Sequence, residues 1–518
     1  MRWLWLGRGL IVVAMLVSII MPLGVVGWRG LAWLDAATMT QMARIGVATI
    51  GQALLSTLVA LVCALPIAWA LIRRPGMLAT SAWLAVSVPF VIPTPVAATM
   101  LTTICAPHSW CASLFGLEVP QGLAVVVLAH VWYNTGVLVR LVYDAWQGIA
   151  GRYEAAALTL GASPWRRLTT IVLPLLWPAM LAGVLLVFLY CVGSFGVVLL
   201  LGGNRVPSLE VEIWRQTSQF LRLDIATTLA VWQLLMSLLL VWLSDRLQRR
   251  IVLDAQRRPT THRANDWGWW VAGMSQLATI VCFAGPFGLL VMRAWLPDDW
   301  SHAYQALASP VRGSGLFVSP LAAVWRSLWI ALVVALVTVV VSWGFSSGNR
   351  WWRRMAMIPL GVSGVTLGLG YILWFGPLGL LQASWLVIMA HVVLALPLVS
   401  RQLALARDQL APTYTIAAAT LGATPWRQWW SVTLPLLRRA LVAAGLFAFA
   451  VSLGDFAAAL LLSRPDTPTA PLFLARLLGR PGAINYAMAA ALAVVLVLVC
   501  AVVMIGAQVL ARPRRLSK

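Results

Sequence analysis

Residues Tyr153–Leu176 read YEAAALTLGASPWRRLTTIVLPLL, and residues Tyr414–Leu437 read YTIAAATLGATPWRQWWSVTLPLL. These first and second repeated segments lie 261 residues apart, and 14 of their 24 aligned positions are identical. Chance similarity between apolar helices can match Leu and Ala, but it does not readily reproduce Gly-Ala-x-Pro-Trp-Arg followed by Leu-Pro-Leu-Leu at one spacing. The chain is therefore predicted to contain an internal repeat of two halves.

The composition is that of a membrane protein. Of the 518 residues, 61% are hydrophobic and 10% are charged, whereas about 25% of an ordinary soluble domain is charged. This excludes a soluble globular enzyme, a disordered chain and a disulfide-stapled secreted domain, because only a bilayer solvates so much apolar surface. We expect an all-α polytopic protein with about twelve membrane-spanning helices. The apolar stretches that are long enough to cross lie near residues 9–28, 45–72, 79–104, 122–143, 171–202, 224–244, 268–292, 321–345, 355–378, 384–402, 439–463 and 486–511.

The basic residues are distributed in a way that sets membrane orientation. The formal net charge is +22, Lys518 is the only lysine, and the arginines lie in small groups between apolar stretches. They form no single basic face, so no nucleic-acid partner is expected. With twelve spans, 26 of the 37 basic residues fall on the side of the two termini. The positive-inside rule then predicts that both termini are cytoplasmic.

The polar, basic stretch RLQRRIVLDAQRRPTTHRAND begins at residue 246, almost at the midpoint of the chain. We interpret residues 246–267 as a cytoplasmic linker between a first six-span half, 1–245, and a second six-span half, 268–518. Because six spans are an even number, the halves have the same orientation and form a parallel repeat. Such a pseudo-dimer has a natural pathway between its halves, which favours a transporter over a membrane enzyme.

Each repeated segment is predicted to form two short helices around a glycine turn. Residues 153–160 are rich in helix-forming Ala and Leu, and Gly161 then breaks the helix. Ser163 is the expected N-cap of a second helix with Pro164 at its first position, and the second segment repeats this arrangement. The result is a rigid knob held beneath the membrane. The alternative is an interfacial helix that rests on lipid headgroups, anchored by Trp and Arg.

The first repeated segment resembles the signature loop of permease subunits in binding-protein-dependent ABC importers: E-A-A, four residues, Gly, nine residues, Ile-x-Leu-Pro. In the second segment Val432 replaces the Ile, while Thr415 and Ile416 replace the Glu and the first Ala. The resemblance covers both halves and is greatest to fused permeases such as those of thiamine and ferric-iron importers. The ATPase-coupling residues that it implies, with their neighbours in each knob, are Glu154, Ala155, Ala156, Gly161, Pro164, Trp165, Arg166, Leu173, Pro174, Ala417, Gly422, Pro425, Trp426, Arg427, Leu434 and Pro435.

The resemblance also implies partners and a location. Each segment would form a coupling helix seated in a cleft of a cytosolic ATPase subunit, two copies in all. A periplasmic solute-binding protein would deliver the solute to this chain in a bacterial inner membrane.

The chain has no catalytic motif of its own. It contains no G-x-x-x-x-G-K-[ST] phosphate-binding loop, because Lys518 is its only lysine, and no zinc-site cysteine spacing. We therefore expect a transport subunit without a cofactor, not an enzyme. The alternative is an ion-coupled secondary transporter with two six-span repeats, which should carry several intramembrane carboxylates.

An ionisable side chain inside a membrane-spanning stretch is costly and often functional. Asp455 is such a side chain. It faces the pathway, pairs with an arginine such as Arg326 or Arg464, or lies at the outer mouth. The residues assigned to the pathway or gate are Asp455 and Phe456, with their counterparts Ser194 and Phe195 in the first half.

Three further features leave alternatives open. His130 and His391 occupy equivalent positions, where cross-helix hydrogen bonding is favoured over a proton relay. Prolines at positions 89, 93 and 95 and glycines at 361, 364, 368 and 370 indicate either discontinuous helices beside a pathway or close helix packing. Cys105 and Cys111 share a short loop, where the sequence is compatible both with a disulfide and with a buried, free Cys105.

Overall fold

The computed structural model describes residues 16–31, 36–105, 122–149, 152–203, 205–248, 267–295, 300–309, 318–346, 350–381, 384–410, 412–464, 466–480 and 482–511. These residues form helices joined by turns, without a strand among them. The predicted all-α fold is confirmed. Cys111 and the side chain of Cys105 lie outside the described residues, as do residues 249–266 of the predicted linker.

The α-helices are numbered here in chain order. They are α1 (Met21–Leu31), α2 (Ala36–Arg73), α3 (Met77–Ser87), α4 (Thr94–Cys105), α5 (Leu123–Ile149), α6 (Arg152–Thr159), α7 (Pro164–Arg167), α8 (Leu173–Val192), α9 (Phe195–Val197), α10 (Leu209–Ser218), α11 (Leu223–Gln248), α12 (Trp267–Trp295), α13 (Trp300–Ala306), α14 (Pro320–Ser346), α15 (Arg350–Met355), α16 (Gly364–Phe375), α17 (Trp385–Asp408), α18 (Pro412–Thr420), α19 (Pro425–Gln428), α20 (Leu434–Gly454), α21 (Ala457–Leu462), α22 (Ala470–Leu478) and α23 (Ala483–Ala511).

The described residues include nine helices that are long and apolar enough to cross a membrane. The count rises to eleven if each of two bent helix pairs is one span, and Val17–Leu31 is a shorter apolar helix. Each of the twelve predicted stretches corresponds to one of these features. The chain is therefore a multi-span helical membrane protein.

One compact unit, the middle unit, consists of Trp33–Trp300. Within it α2 packs along α5, and α8 packs against both. Helix α12 belongs to this unit although it begins the second half of the sequence. Gln276 Nε2 on α12 donates hydrogen bonds to the carbonyl oxygens of Ala70 and Arg74, each over 2.8 Å. The Arg74 guanidinium also lies 3.7 Å from the ring centre of Trp269 on α12, in a cation–π contact.

The other compact unit, the terminal unit, consists of Met1–Ala32 and Ser301–Lys518. Here α14, α17, α20 and α23 pack together. Helix α1 belongs to this unit and packs on α16. The Tyr371 hydroxyl of α16 donates to the Ser18 carbonyl oxygen over 3.0 Å. Gly370 permits this close approach, since a Cβ there would lie 3.0 Å from Pro22 Cβ.

The compact units and the sequence halves therefore differ in their first helices. The predicted division into 1–245, 246–267 and 268–518 follows the sequence repeat, whereas the units divide after residues 32 and 300. The middle unit contains α12, the first apolar helix of the second half, and the terminal unit contains α1, the first apolar helix of the first half. The repeat describes how the sequence is organised, and the units describe how the helices pack.

Several apolar stretches are discontinuous. The pair α3–α4 bends by 114° and the pair α15–α16 by 96°. Pro89 begins the 3₁₀ turn that precedes the first bend, and Pro359 lies within the 3₁₀ turn that precedes the second. Proline cannot donate a backbone hydrogen bond, so it interrupts the helix there. The stretch near 171–202 is broken between α8 and α9, and a second break separates α20 from α21. The predicted discontinuous helices at the prolines and glycines of the two bent pairs are confirmed. The close-packing alternative also holds, since a Cβ at Gly364 or Gly368 would lie 2.9 or 2.8 Å from a neighbouring side chain.

Candidate functional site

The first repeated segment forms the predicted helix, glycine turn and capped helix start. The second helix is not short as predicted, because it continues into the apolar helix that ends at Val192. After α6, Gly161 has a φ of +71°, a left-handed conformation that glycine adopts without steric cost. The backbone N–H of Ala162 then bonds to the carbonyl oxygen of Ala157 over 3.0 Å, which closes the turn. Ser163 Oγ accepts a hydrogen bond from the Arg166 backbone N–H, and Pro164 opens α7. The predicted N-cap and first-position proline are confirmed.

The second repeated segment has the same geometry with a different cap. Gly422 has a φ of +78°, and the N–H of Ala423 bonds to the carbonyl oxygen of Ala418 over 3.0 Å. Thr424 Oγ1 accepts from the Arg427 backbone N–H, and a proline again opens the short helix, α19. Ser and Thr thus perform the same capping role in the two halves.

Large apolar side chains project from both turns. Leu160 is 85% exposed and Leu421 88%, and the tryptophans that follow, Trp165 and Trp426, are 72% and 69% exposed. No residue of α7 or α19 is buried. Paired exposure of leucine and tryptophan at equivalent positions is typical of a surface that another molecule covers.

The two segments differ beyond their caps. In the second, Trp426, Trp429 and Trp430 form an aromatic cluster, with ring centres 5.8 Å apart for Trp426–Trp429 and 4.7 Å for Trp429–Trp430. The first segment has Leu168 and Thr169 at the positions of the last two tryptophans. Of this cluster, Trp426 alone was among the predicted coupling residues. The side chains of Glu154 and Ala155 lie outside the described part of the chain.

Asp455 lies at the break between α20 and α21, and its partner is a histidine. Asp455 Oδ2 is 3.1 Å from His391 Nε2, and His391 Nδ1 is 2.8 Å from Ser452 Oγ. A neutral imidazole satisfies both contacts by donating to the carboxylate and accepting from the hydroxyl. The His391 side chain is 2% exposed and that of Asp455 13%. The alternative in which Arg326 or Arg464 pairs with Asp455 is therefore wrong.

The Asp455 carboxylate also holds the start of the next helix. Its Oδ2 accepts hydrogen bonds from the backbone N–H groups of Ala458 (3.1 Å) and Ala459 (3.2 Å). Gly364 on α16 approaches the same place, since a Cβ there would lie 2.9 Å from Ala457 Cβ. The break between α20 and α21 thus lies against the break that precedes α16. His391 of α17 forms hydrogen bonds with Ser452, at the end of α20, and with Asp455, which precedes α21.

The equivalent break in the middle unit, between α8 and α9, has different hydrogen bonds around it. His130 Nδ1 lies 3.2 Å from Ser56 Oγ on α2. Ser194 precedes α9 without a side-chain capping bond. The predicted cross-helix bonding of both histidines is confirmed, but only the terminal unit has a carboxylate at this position. Phe195 and Phe456 are both buried.

Glu210 is a buried carboxylate that was not predicted from the sequence. Glu210 is fully buried in the first turn of α10 and accepts a hydrogen bond from Gln233 Nε2 on α11. Its Oε1 would lie 3.9 Å from a Cβ at Gly193, so it stands beside the α8–α9 break. It escaped prediction because it lies in the connection between two apolar stretches, which the composition alone presents as a loop. Within the described residues, no three His, Cys, Asp or Glu side chains cluster as a metal site would require.

Comparison with known proteins places both halves in one family. Residues 42–253 and 269–516 match the binding-protein-dependent transport system inner membrane component family. The chain is 28% identical to a thiamine transport system permease protein of Escherichia coli (strain K12) over 459 residues, which cover 83% of this chain and 82% of that protein. A thiamine transport system permease protein of Brucella suis biovar 1 is 27% identical over 526 residues, 92% of this chain and 89% of that protein.

A third relative matches about a third of the chain. The molybdenum transport system permease protein of Azotobacter vinelandii is 36% identical over 173 residues, 32% of this chain and 76% of that protein. Each half of the chain matches this family and contains one copy of the repeated segment. The chain belongs to the family of inner-membrane permease components of binding-protein-dependent transport systems and is a fused importer permease with two repeats.

Proposed function

We propose that this chain forms the translocation pathway of an ABC importer and couples to a separate cytosolic ATPase through its two repeated segments. The observation that supports this is the shared geometry of the segments: a left-handed glycine, the capped start of a long helix, and exposed leucine and tryptophan in both. Two such knobs suit two ATPase subunits. A solute-binding protein is the partner on the opposite face, and both termini are cytoplasmic with the knobs.

The geometry favours a protein partner over lipid headgroups. An interfacial helix binds lipid through an extended apolar face along its length. Helices α7 and α19 are the first turns of the long apolar helices Pro164–Val192 and Pro425–Gly454, so neither is a separate helix that could lie along the membrane surface. A rigid glycine turn that presents one leucine and one tryptophan is better suited to a cleft in a protein.

The ion-coupled alternative requires mobile intramembrane charge. The two carboxylates beside helix breaks, Asp455 and Glu210, are hydrogen-bonded within their own units. That arrangement favours a structural or gating role over a relay. Copurification of an ATPase with the intact chain separates the two functions, since a secondary transporter needs none.

Glu154→Ala should weaken ATPase association roughly tenfold, and Thr415→Ala should change it little. A carboxylate can form a charge-assisted hydrogen bond, and a bond to a charged group contributes about 1.5–3 kcal/mol. The measurement is the amount of ATPase that copurifies at matched membrane expression, with Thr415→Ala as the control at the equivalent position. Equal losses in both variants would contradict the asymmetry, and no ATPase with the parent chain would contradict the proposed function.

Thiamine is the first solute to test. The two relatives described above that cover 83% and 92% of this chain are named thiamine permeases, whereas the molybdenum permease covers 32% of it. Cells that carry this chain with its ATPase and binding protein should take up labelled thiamine faster than cells that lack the chain, and molybdate uptake should be unchanged. Uptake of molybdate alone would reverse the assignment.

Asp455, Ser194, Phe195 and Phe456 are proposed as gate residues. In both units they stand where a long helix is interrupted, and broken helices at membrane depth are tolerated where they are enclosed by protein or line a pathway. In the terminal unit the break meets a second interrupted helix at Gly364. A small movement of α17 would act on both sides of this break through His391.

A further inference from the structure

Gln52 of α2 holds the end of α8 at the break in the middle unit. Its Nε2 donates a hydrogen bond to the carbonyl oxygen of Cys191 over 3.3 Å, and both residues are buried. Cys191 lies in the last turn of α8. Carbonyl groups in the last turn of a helix have no partner within that helix, and in a membrane they must be satisfied by other parts of the protein. Gln52 therefore caps α8 from a neighbouring helix.

Two further polar side chains stand at the same break. Asn134 Nδ2 on α5 lies 3.6 Å from Cys191 Sγ, and the Glu210 carboxylate of α10 lies beside Gly193. Three helices, α2, α5 and α10, thus each place a polar side chain at the end of α8. Among these side chains, only that of Gln52 bonds to the backbone of α8 in the described structure.

A contact that is present in both units shows which residues of α2 and α14 are equivalent. The backbone N–H of Leu209 donates to Thr49 Oγ1 of α2 over 3.1 Å. The backbone N–H of Ala470, which lies 261 residues further along the chain, donates to Ser327 Oγ of α14 over 2.8 Å. Because 261 is also the spacing of the sequence repeat, Thr49 and Ser327 occupy equivalent positions.

Three residues after these positions, α2 has Gln52 and α14 has Ile330, whose hydrocarbon side chain cannot bond to a carbonyl. The terminal unit caps its break from the other side, since Asp455 accepts from backbone N–H groups at the start of α21. We propose that the two units stabilise equivalent breaks from opposite ends, and that Gln52 is the positioning residue for the gate of the middle unit. This inference rests on the proposed gate at Ser194 and Phe195.

Two buried thiols allow a measurement that does not depend on transport. Cys191 lies at the break and Cys500 lies within α23, and both are free. The intact chain in detergent is labelled with a small membrane-permeant maleimide, and mass spectrometry quantifies the label on each cysteine. Gln52→Ile should raise the labelling rate of Cys191 about 2- to 10-fold, because loss of one hydrogen bond favours local opening by that factor. Labelling of Cys500 should stay at the parent rate, and solute uptake should fall.

The repeat supplies a rescue variant and the chain supplies a matched control. Ser194→Asp introduces the cap of the terminal unit into the middle unit, where His130 occupies the position of His391. Added to Gln52→Ile, it should return Cys191 labelling and uptake most of the way to the parent values, whereas a loss of packing alone would not be rescued. Gln276→Ile removes a cross-helix amide near the far end of α2 and should leave Cys191 labelling unchanged.

Three results would overturn the proposal. The first is unchanged Cys191 labelling in Gln52→Ile, and the second is an equal rise at Cys500, which would indicate general loosening of the chain. The third is a rise that Ser194→Asp does not reverse, which would show that the two caps are not interchangeable. If Gln52→Ile fails to fold, Gln52→Met, which keeps the length of the side chain without its donor, replaces it. A parent chain that does not transport would instead contradict the proposed function, because the labelling reports only the conformation of this chain.

Discussion

Gly161→Val and Gly422→Val should each weaken ATPase association about 5- to 30-fold while membrane insertion stays unchanged. The glycines have φ angles of +71° and +78°, and a left-handed conformation costs a residue with a side chain about 1–2 kcal/mol. A Cβ at either position would meet nothing within 4 Å. The effect therefore arises from the backbone: valine shifts the turn out of its conformation and redirects the capped helix that follows.

The open space around both glycines provides a matched control. Asn tolerates the left-handed region better than other residues with a side chain, so Gly161→Asn and Gly422→Asn should retain most of the copurified ATPase. Comparing Val with Asn separates backbone conformation from the mere addition of a side chain. If both valine variants bind the ATPase and transport like the parent, the repeated segments are not coupling helices, and a segment resting on lipid headgroups becomes the better account.

Asp455→Asn should reduce transport at least tenfold while the protein remains as stable as the parent. Asn can cap a helix as well as Asp, and its side-chain oxygen can accept from Ala458, Ala459 and His391 as the carboxylate does. The substitution removes the charge and preserves the hydrogen bonds. Solute uptake and the unfolding midpoint, measured on the same preparation, distinguish the two effects.

Two further variants show whether Asp455 acts as a gate or only as a cap. Asp455→Ala should lower both transport and the unfolding midpoint, because it leaves buried His391 without one partner at a cost of about 1–3 kcal/mol. Ser194→Ala should leave the unfolding midpoint near the parent value, since Ser194 makes no side-chain capping bond. Parent-like transport by Asp455→Asn would show that the residue is a structural cap.

The features that sequence analysis anticipated are those encoded locally. Gly161, Ser163 and Pro164 specify a turn, a cap and a helix start within four residues, and the structure has all three. Apolar stretches of sufficient length predicted the spans, and prolines predicted the bend between α3 and α4. Each of these depends on neighbours along the chain, so a single sequence is sufficient to predict them.

The features that it missed are tertiary. His391 and Asp455 are 64 residues apart, and nothing in either sequence neighbourhood selects histidine over an arginine as the partner. Glu210 lies in a short helix whose depth depends on how α10 packs against α11. The exchange of α1 and α12 between units has no local signal, because one apolar helix resembles another until small contacts such as Tyr371–Ser18 and Gln276–Ala70 select its neighbours.

Because α1 and α12 are exchanged between the units, the covalent connection between the halves matters for assembly. If the chain were cut within 249–266, the N-terminal fragment would lack α12 and the C-terminal fragment would lack α1, so neither piece could complete its compact unit alone. Separately expressed pieces would have to find each other in the membrane, with mutual dependence like that of obligate heterodimers. A tether turns that bimolecular search into an intramolecular step at high effective concentration. It also disfavours donation of a helix to a second molecule, the route by which swapped oligomers form.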